Sequence, residues 1–165
     1  MATSFITYTK RGVAESSNLL ATVAGHIENV LVEADNGIDN GSFISLGDFV
    51  SGDVWKAKAP AAGEDIYLVL SVPLIYEDYT SKMQEESNFF NGKGEVARAY
   101  QLFKRDKFAL SAECFAANAE PAVGKYLTFS GFKAGVAASA PQSGPVMKIY
   151  DVATNGNFRV VVESL

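Results

Sequence analysis

Cysteine, histidine and tryptophan each occur only once among the 165 residues of this chain. The single cysteine, Cys114, excludes an internal disulfide, so the fold is expected to rest on burial alone and to be made in a reducing cytoplasm. Together with the single histidine, His26, it cannot supply the roughly four ligands of a structural zinc site. A Cys–His dyad needs the two in contact, and neither stands in a recognisable catalytic context. Cys114 is therefore read as an inert core thiol and His26 as a surface or hinge residue. No stretch approaches the roughly 20 apolar residues that span a bilayer, so no transmembrane helix is predicted. Met1–Lys10 lacks a charged start followed by an apolar run and is not read as a signal peptide.

Catalytic motifs are missing as well. The chain holds neither a P-loop nor a dinucleotide-binding glycine pattern, and no Gly-x-Ser-x-Gly nucleophile elbow. Its adjacent carboxylate pairs, Glu77/Asp78 and Glu85/Glu86, point apart on a strand or a helix, which suits a solvated face better than glycosidase chemistry. Positive charge is also scarce. Residues 33–65 carry seven acids (Glu33, Asp35, Asp39, Asp48, Asp53, Glu64 and Asp65) against Lys56 and Lys58, a net −5 that equals the charge of the whole chain. A nucleic-acid binder needs a basic patch to displace counterions from phosphates, so nucleic acid and anionic membranes are disfavoured as partners.

What is present is an ordinary globular composition, 48% hydrophobic and 20% charged, in a length that suits one domain. Residues 1–26 are rich in Ser, Thr and Ala and keep no steady apolar period. They are read as an extended N-terminal arm, with one short ordered piece around Ser17–Val23, or as a disordered tail. On that reading a substitution at Gly12 is tolerated, and the arm can be removed without unfolding residues 27–165.

From Ile27 short strands alternate with strong turn signals. Strands are predicted over Ile27–Glu33, Ser42–Leu46, Val54–Ala59, Ile66–Val72, Val96–Phe103, Lys107–Phe115, Lys125–Ser130, Val146–Val152 and Asn157–Glu163. The continuous apolar run Ile66–Val72 implies a central strand buried on both faces. Phe108, Leu110, Ala112 and Cys114 alternate onto one face. Ile75–Lys93 is polar, with Tyr76, Tyr79, Met83 and Phe90 at helical spacing and Asp78, Lys82 and Glu86 four apart, which suits a short helix or a structured loop. Asn155-Gly156 is expected to form a type I′ turn between the last two strands. The fold class that follows is mainly β, a single β-sandwich or barrel-like domain with an extended arm and at most one or two short helices.

Asp35-Asn36-Gly37-Ile38-Asp39-Asn40-Gly41 brings oxygen ligands and glycines together as calcium loops do, but it misses the EF-hand spacing, with Gly37 at the third position and Leu46 at the twelfth. Two successive turns without metal are the better reading. Trp55 lies in an apolar strand and is expected in the core.

Several stretches resemble the head decoration (cement, or auxiliary capsid) proteins of tailed bacteriophages. They are Asn36-Gly37, Val54–Pro60, Ile66–Pro73 and Tyr76–Glu77; then Gly92-Lys93-Gly94-Glu95-Val96-Ala97-Arg98-Ala99-Tyr100-Gln101-Leu102 with Asp106, Phe108, Ser111 and Glu113; and Val123-Gly124-Lys125-Tyr126 with the closing hairpin. The resemblance covers roughly Ile27 to Glu163. It implies a non-enzymatic structural protein of the virion, made in the host cytoplasm and bound to the outer surface of the capsid, which it stabilises. Its partners would be the major capsid protein and other copies of itself on the shell. No catalytic, cofactor-binding or metal-binding residue is assigned. The alternatives are other β-rich binding modules: a head-fibre or tail protein, or a carbohydrate- or receptor-binding domain.

Overall fold

The computed structural model describes residues 10–73 and 86–165. The chain is mainly β, as its short alternating segments imply. In order, it forms β1 (Ala14–Asn18), a one-turn helix α1 (Leu20–Ala24), β2 (Ile27–Leu31), β3 (Phe43–Ser51), β4 (Val54–Lys58), β5 (Tyr67–Val69) and β6 (Val96–Gln101). There follow β7 (Lys107–Leu110), β8 (Tyr126–Ser130), β9 (Lys133–Ala137), β10 (Val146–Val152) and β11 (Phe158–Ser164). Strands β2–β6 close into a barrel of order β2-β4-β3-β5-β6, and the other six form an open sheet of order β1-β7-β11-β10-β8-β9.

Alternation along two strands joins these layers. On β3, Ile44 packs into the barrel with Val30, Val32, Val69 and Ala99, while the neighbouring Phe43 points the other way, into the core shared with the sheet. There its ring lies 5.9 Å from Phe108 and 5.5 Å from Phe129. β5 repeats the pattern: Tyr67 and Val69 face the barrel, whereas Ile66 and Leu68 face the sheet with Leu127, Met147, Ile149, Val160 and Val162. Period-2 geometry sends successive side chains to opposite faces. A strand between two cores therefore reads as a continuous apolar run, which is why Ile66–Val69 is buried throughout.

The reading of residues 1–26 as an arm outside the domain does not hold from Ala14 onward. β1 pairs antiparallel with β7, Ala14 opposite Leu110 and Ser16 opposite Phe108, and Ala14 and Leu19 join the shared core. Ala21 on α1 is fully buried. The apolar period is invisible because β1 is an edge strand with only Ala14 buried, and α1 is a single turn. The carboxylate of Asp106 fixes α1, accepting from the Leu20 and Phe103 N–H groups at 3.0 and 2.8 Å.

Other boundaries differ, and β5 covers only Tyr67–Val69 of the run Ile66–Val72. β3 runs through Gly47 to Ser51 rather than stopping at Leu46, and forms a long hairpin with β4. β7 ends at Leu110, because Ser111 binds sideways: its N–H donates to Val13 O and its Oγ accepts from Val13 N–H, both at 2.9 Å. Ala112–Cys114 then forms a 3-10 turn that leaves Ala112 exposed and Cys114 buried, so the four-residue alternating face breaks at Ala112. β9 was not anticipated. The turn after β10 is not type I′, since Gly156 has φ +87° while Asn155 stays at negative φ. Gly156 N–H donates to Ala153 O, and Asn155 Oδ1 accepts from Asn157 N–H. The expected helix with Tyr76, Tyr79, Met83, Asp78 and Lys82 falls mostly outside the described residues; within them, Glu86–Asn88 is a 3-10 turn. Among the described residues no helix is long and apolar enough to cross a membrane.

Candidate functional site

The loop with the calcium-like composition is a structural clasp. Asp39 is buried; its Oδ1 lies 3.2 Å from Arg11 Nη1, and its Oδ2 accepts from Gly12 N–H at 3.0 Å. Asn40 Nδ2 donates to Ser71 O at 2.8 Å and its Oδ1 accepts from Ser71 N–H at 2.9 Å, while Asn91 Nδ2 donates to Ile38 O. Ile38 and Asn91 also exchange both backbone hydrogen bonds. The guanidinium of Arg11 sits 4.1 Å above the Phe90 ring, a cation–π contact. Asp35, the other carboxylate of the loop, pairs outward with Lys93. The two acids are thus turned to separate partners, and no group of three or more metal-ligating side chains occurs among the described residues.

Cys114 lies beside this clasp in a cradle of two glycines. Its Sγ approaches Val13 O at 3.4 Å, Asn40 O at 3.5 Å and Ser111 Oγ at 3.6 Å. A Cβ at Gly12 would stand 2.8 Å from that sulfur, and one at Gly41 only 2.5 Å. Burial pushes the thiol up to about 11, with the bonds to Ser111 pulling the other way. A neutral buried thiol is a poor nucleophile. His26 is exposed and packs on Phe103, ring centroids 5.4 Å apart.

Of the carboxylate pairs, Glu77, Asp78 and Glu85 fall outside the described residues, and Glu86 opens the 3-10 turn. A cleft of about 280 Å³ is lined by Glu64, Asp65, Ile66, Leu102, Pro145 and Leu165. Glu64 is engaged by Lys58. Tyr67 lines the adjoining depression, its phenol pushed up by burial first and then by Asp65 and Glu28.

The surface holds the more distinctive features. The tip of the β3–β4 hairpin exposes Phe49 by 55% and Val50 by 41%, between Asp48 and Asp53. Trp55, opposite Phe49 in register, meets it edge-on at 5.3 Å. The expectation of a core tryptophan is thus half met: Trp55 packs against the barrel core and is partly exposed. The sequence signal, an apolar pair set between acids at a glycine turn, was hidden by ending the strand at Gly47. On the outer face of the six-stranded sheet, Lys107 stands over Tyr150 at 5.8 Å and Lys148 over Tyr126 at 5.7 Å.

Charge is sorted between these regions. Glu33, Asp35, Asp39 and Glu64 each have a cationic partner (Lys56, Lys93, Arg11 and Lys58), whereas Asp48, Asp53 and Asp65 form no ion pair among the described residues. On the sheet side, among the described residues, only Arg159 is paired, with Asp151 at 2.9 Å. No family model matches the chain, and no curated protein or solved structure matches it.

Proposed function

We propose that the chain is a non-enzymatic structural protein of a phage virion, a head decoration protein that binds the outer surface of the capsid and stabilises it. In this reading it is made in the host cytoplasm, resides on the capsid surface, and has the major capsid protein and its own copies as partners. The observation that carries the reading is the sorting of unpaired charge, with acids on the hairpin of the barrel and lysines on the outer face of the sheet. Complementary potentials orient and select partners more than they tighten binding, which suits a protein packed among neighbours at fixed angles. The buried polar groups meanwhile tie loops together: Asp39, Asn40, Asn91 and Asp106 all have protein partners.

A carbohydrate- or receptor-binding module is the second reading, favoured by the exposed Phe49 beside Trp55. Those rings meet edge-on, whereas a flat stacking platform is what a sugar face fits. A head-fibre or tail role would share the same surfaces. The test is cosedimentation of the purified protein with phage shells lacking it, together with the heat resistance of those shells. The decoration reading expects saturable capture and raised resistance. Protein left in the supernatant at all ratios overturns it.

A further inference from the structure

The chain carries two surfaces whose chemistry is opposite and whose positions are distinct. Residues 27–101, which contain the barrel, hold thirteen acids and five bases, whereas residues 102–165, which form five of the six sheet strands, hold five acids and seven bases. Among the described residues Lys56, Lys58 and Lys93 of the first segment are engaged in ion pairs with Glu33, Glu64 and Asp35, which leaves Asp48 and Asp53 among its acids without such a partner. Both stand at the hairpin tip, where they flank the exposed Phe49.

The sheet supplies the counterpart. Phe108, Ile149 and Val160 face the shared core, so the alternate residues Lys107, Lys148 and Tyr150 stand on the opposite, outward face. Val161 is the register partner of both Lys107 and Lys148, which places the two lysines on either side of it across three adjacent strands. With strands about 4.8 Å apart, the ammonium-bearing stems rise from points roughly 10 Å apart, around an apolar and aromatic floor. Such a floor between two cations fits an apolar tip between two carboxylates.

We infer that the hairpin tip of one copy docks on the outer face of the six-stranded sheet of a second copy, Phe49 against the floor near Tyr150 and Asp48 and Asp53 toward Lys107 and Lys148. The contact joins different surfaces of identical chains, so it is heterologous and each copy retains a free half on either side. It propagates in a row or closes as a ring. This inference goes beyond the decoration reading and does not rest on it.

Sedimentation velocity of the full chain, with no shell present, tests it. Association should grow with protein concentration and weaken as salt screens the exposed charges. Reversing either side, with Asp48→Lys/Asp53→Lys or with Lys107→Glu/Lys148→Glu, sets like charges together and should weaken association by more than about tenfold. Melting curves confirm that these surface variants fold. Mixing the two variants in equal amounts should restore association, because the intact hairpin of one meets the intact face of the other and the two reversed surfaces again carry opposite charges. A protein that stays monomeric at low salt overturns the inference, as does association that ignores both reversals. Hairpin variants that self-associate normally but lose capture by shells also overturn it, and would assign the tip to the capsid instead.

Discussion

Arg11 and Asp39 meet where the first described residues of the chain cross the loop that precedes β3, with Nη1 3.2 Å from Oδ1. The pair is unequal in burial, since the Asp39 side chain is 6% exposed and that of Arg11 is 28% exposed. Asp39 also takes the Gly12 N–H, so the carboxylate satisfies two donors on one segment. Replacing it with Ala strands both, and Asp39→Ala is expected to cost about 2–4 kcal/mol in urea unfolding. Arg11→Ala should cost less, because the carboxylate keeps its backbone donor. A double-mutant cycle giving no coupling between the two positions would show the pair to be incidental.

Titration of Cys114 gives a pH dependence with a definite sign. Its folded-state pKa is raised to about 11 by burial, above the roughly 8.5 of a free thiol. The native state therefore disfavours the thiolate. The contribution is fully present below the unfolded pKa, declines as pH rises through about 8.5 to 11, and amounts to about 3 kcal/mol when lost. Cys114→Ala should flatten this part of the stability curve relative to the parent, and the parent thiol should resist alkylation at neutral pH until the protein unfolds. Fast alkylation of the folded protein would contradict the buried placement.

Most strands from β2 onward were legible because they carry a period-2 or continuous apolar signal, often bounded by Gly, Pro or Asn, while β9 was not. Ile66–Val69 shows this best, since the run itself reports two buried faces. The clasp was not legible. Asp39, Asn40 and Asn91 lie in turn-like contexts, and nothing local reveals that Arg11 and Ser71 complete them from 28 and 31 residues away. The hairpin tip was missed for a different reason: glycine normally punctuates strands, but Gly47 lies within β3, where a Cβ would stand 3.0 Å from the Lys56 carbonyl oxygen.

Gly12 and Gly41 admit Cys114 between them, so their substitution should be severe. A methyl at Gly41 would meet the sulfur at 2.5 Å on a backbone with φ +85°, combining a clash with left-handed strain. Gly41→Ala is expected to cost about 3 kcal/mol or more, and Gly12→Val to lower the melting temperature clearly. Gly156→Val, at φ +87° but in open space, should cost about 1–2 kcal/mol from the backbone alone. Thermal melts of the three rank them, and a neutral Gly12→Val would restore the reading of a detachable arm.

Removal of residues 1–25 provides the same distinction on a larger scale. The deletion takes away β1, the buried Leu19 and the fully buried Ala21, and leaves the edge of β7 unpaired. A loss on the order of 3–5 kcal/mol is expected from the apolar burial and the strand pairing together. Calorimetry of the shortened chain against the parent measures it, and an unchanged melting temperature would mean that β1 contributes nothing to the folded state.

Trp55, the only tryptophan, reports directly on the hairpin tip. Its ring is partly exposed beside Phe49, on a hairpin whose turn carries Asp48 and Asp53 without ion-pair partners among the described residues. A local negative potential concentrates cations and excludes anions over a distance of about a Debye length, roughly 10 Å at 0.1 M salt. Caesium should therefore quench Trp55 emission more efficiently than iodide at low ionic strength, and the difference should shrink as inert salt is added. Asp48→Lys/Asp53→Lys should invert the order without moving the melting temperature. If the tip is covered when the protein binds, whether by another copy or by a shell, quenching by both ions should fall together. Equal quenching by the two ions in the free parent protein would show that the acids do not set the field at the tip, and would remove the electrostatic ground for its docking.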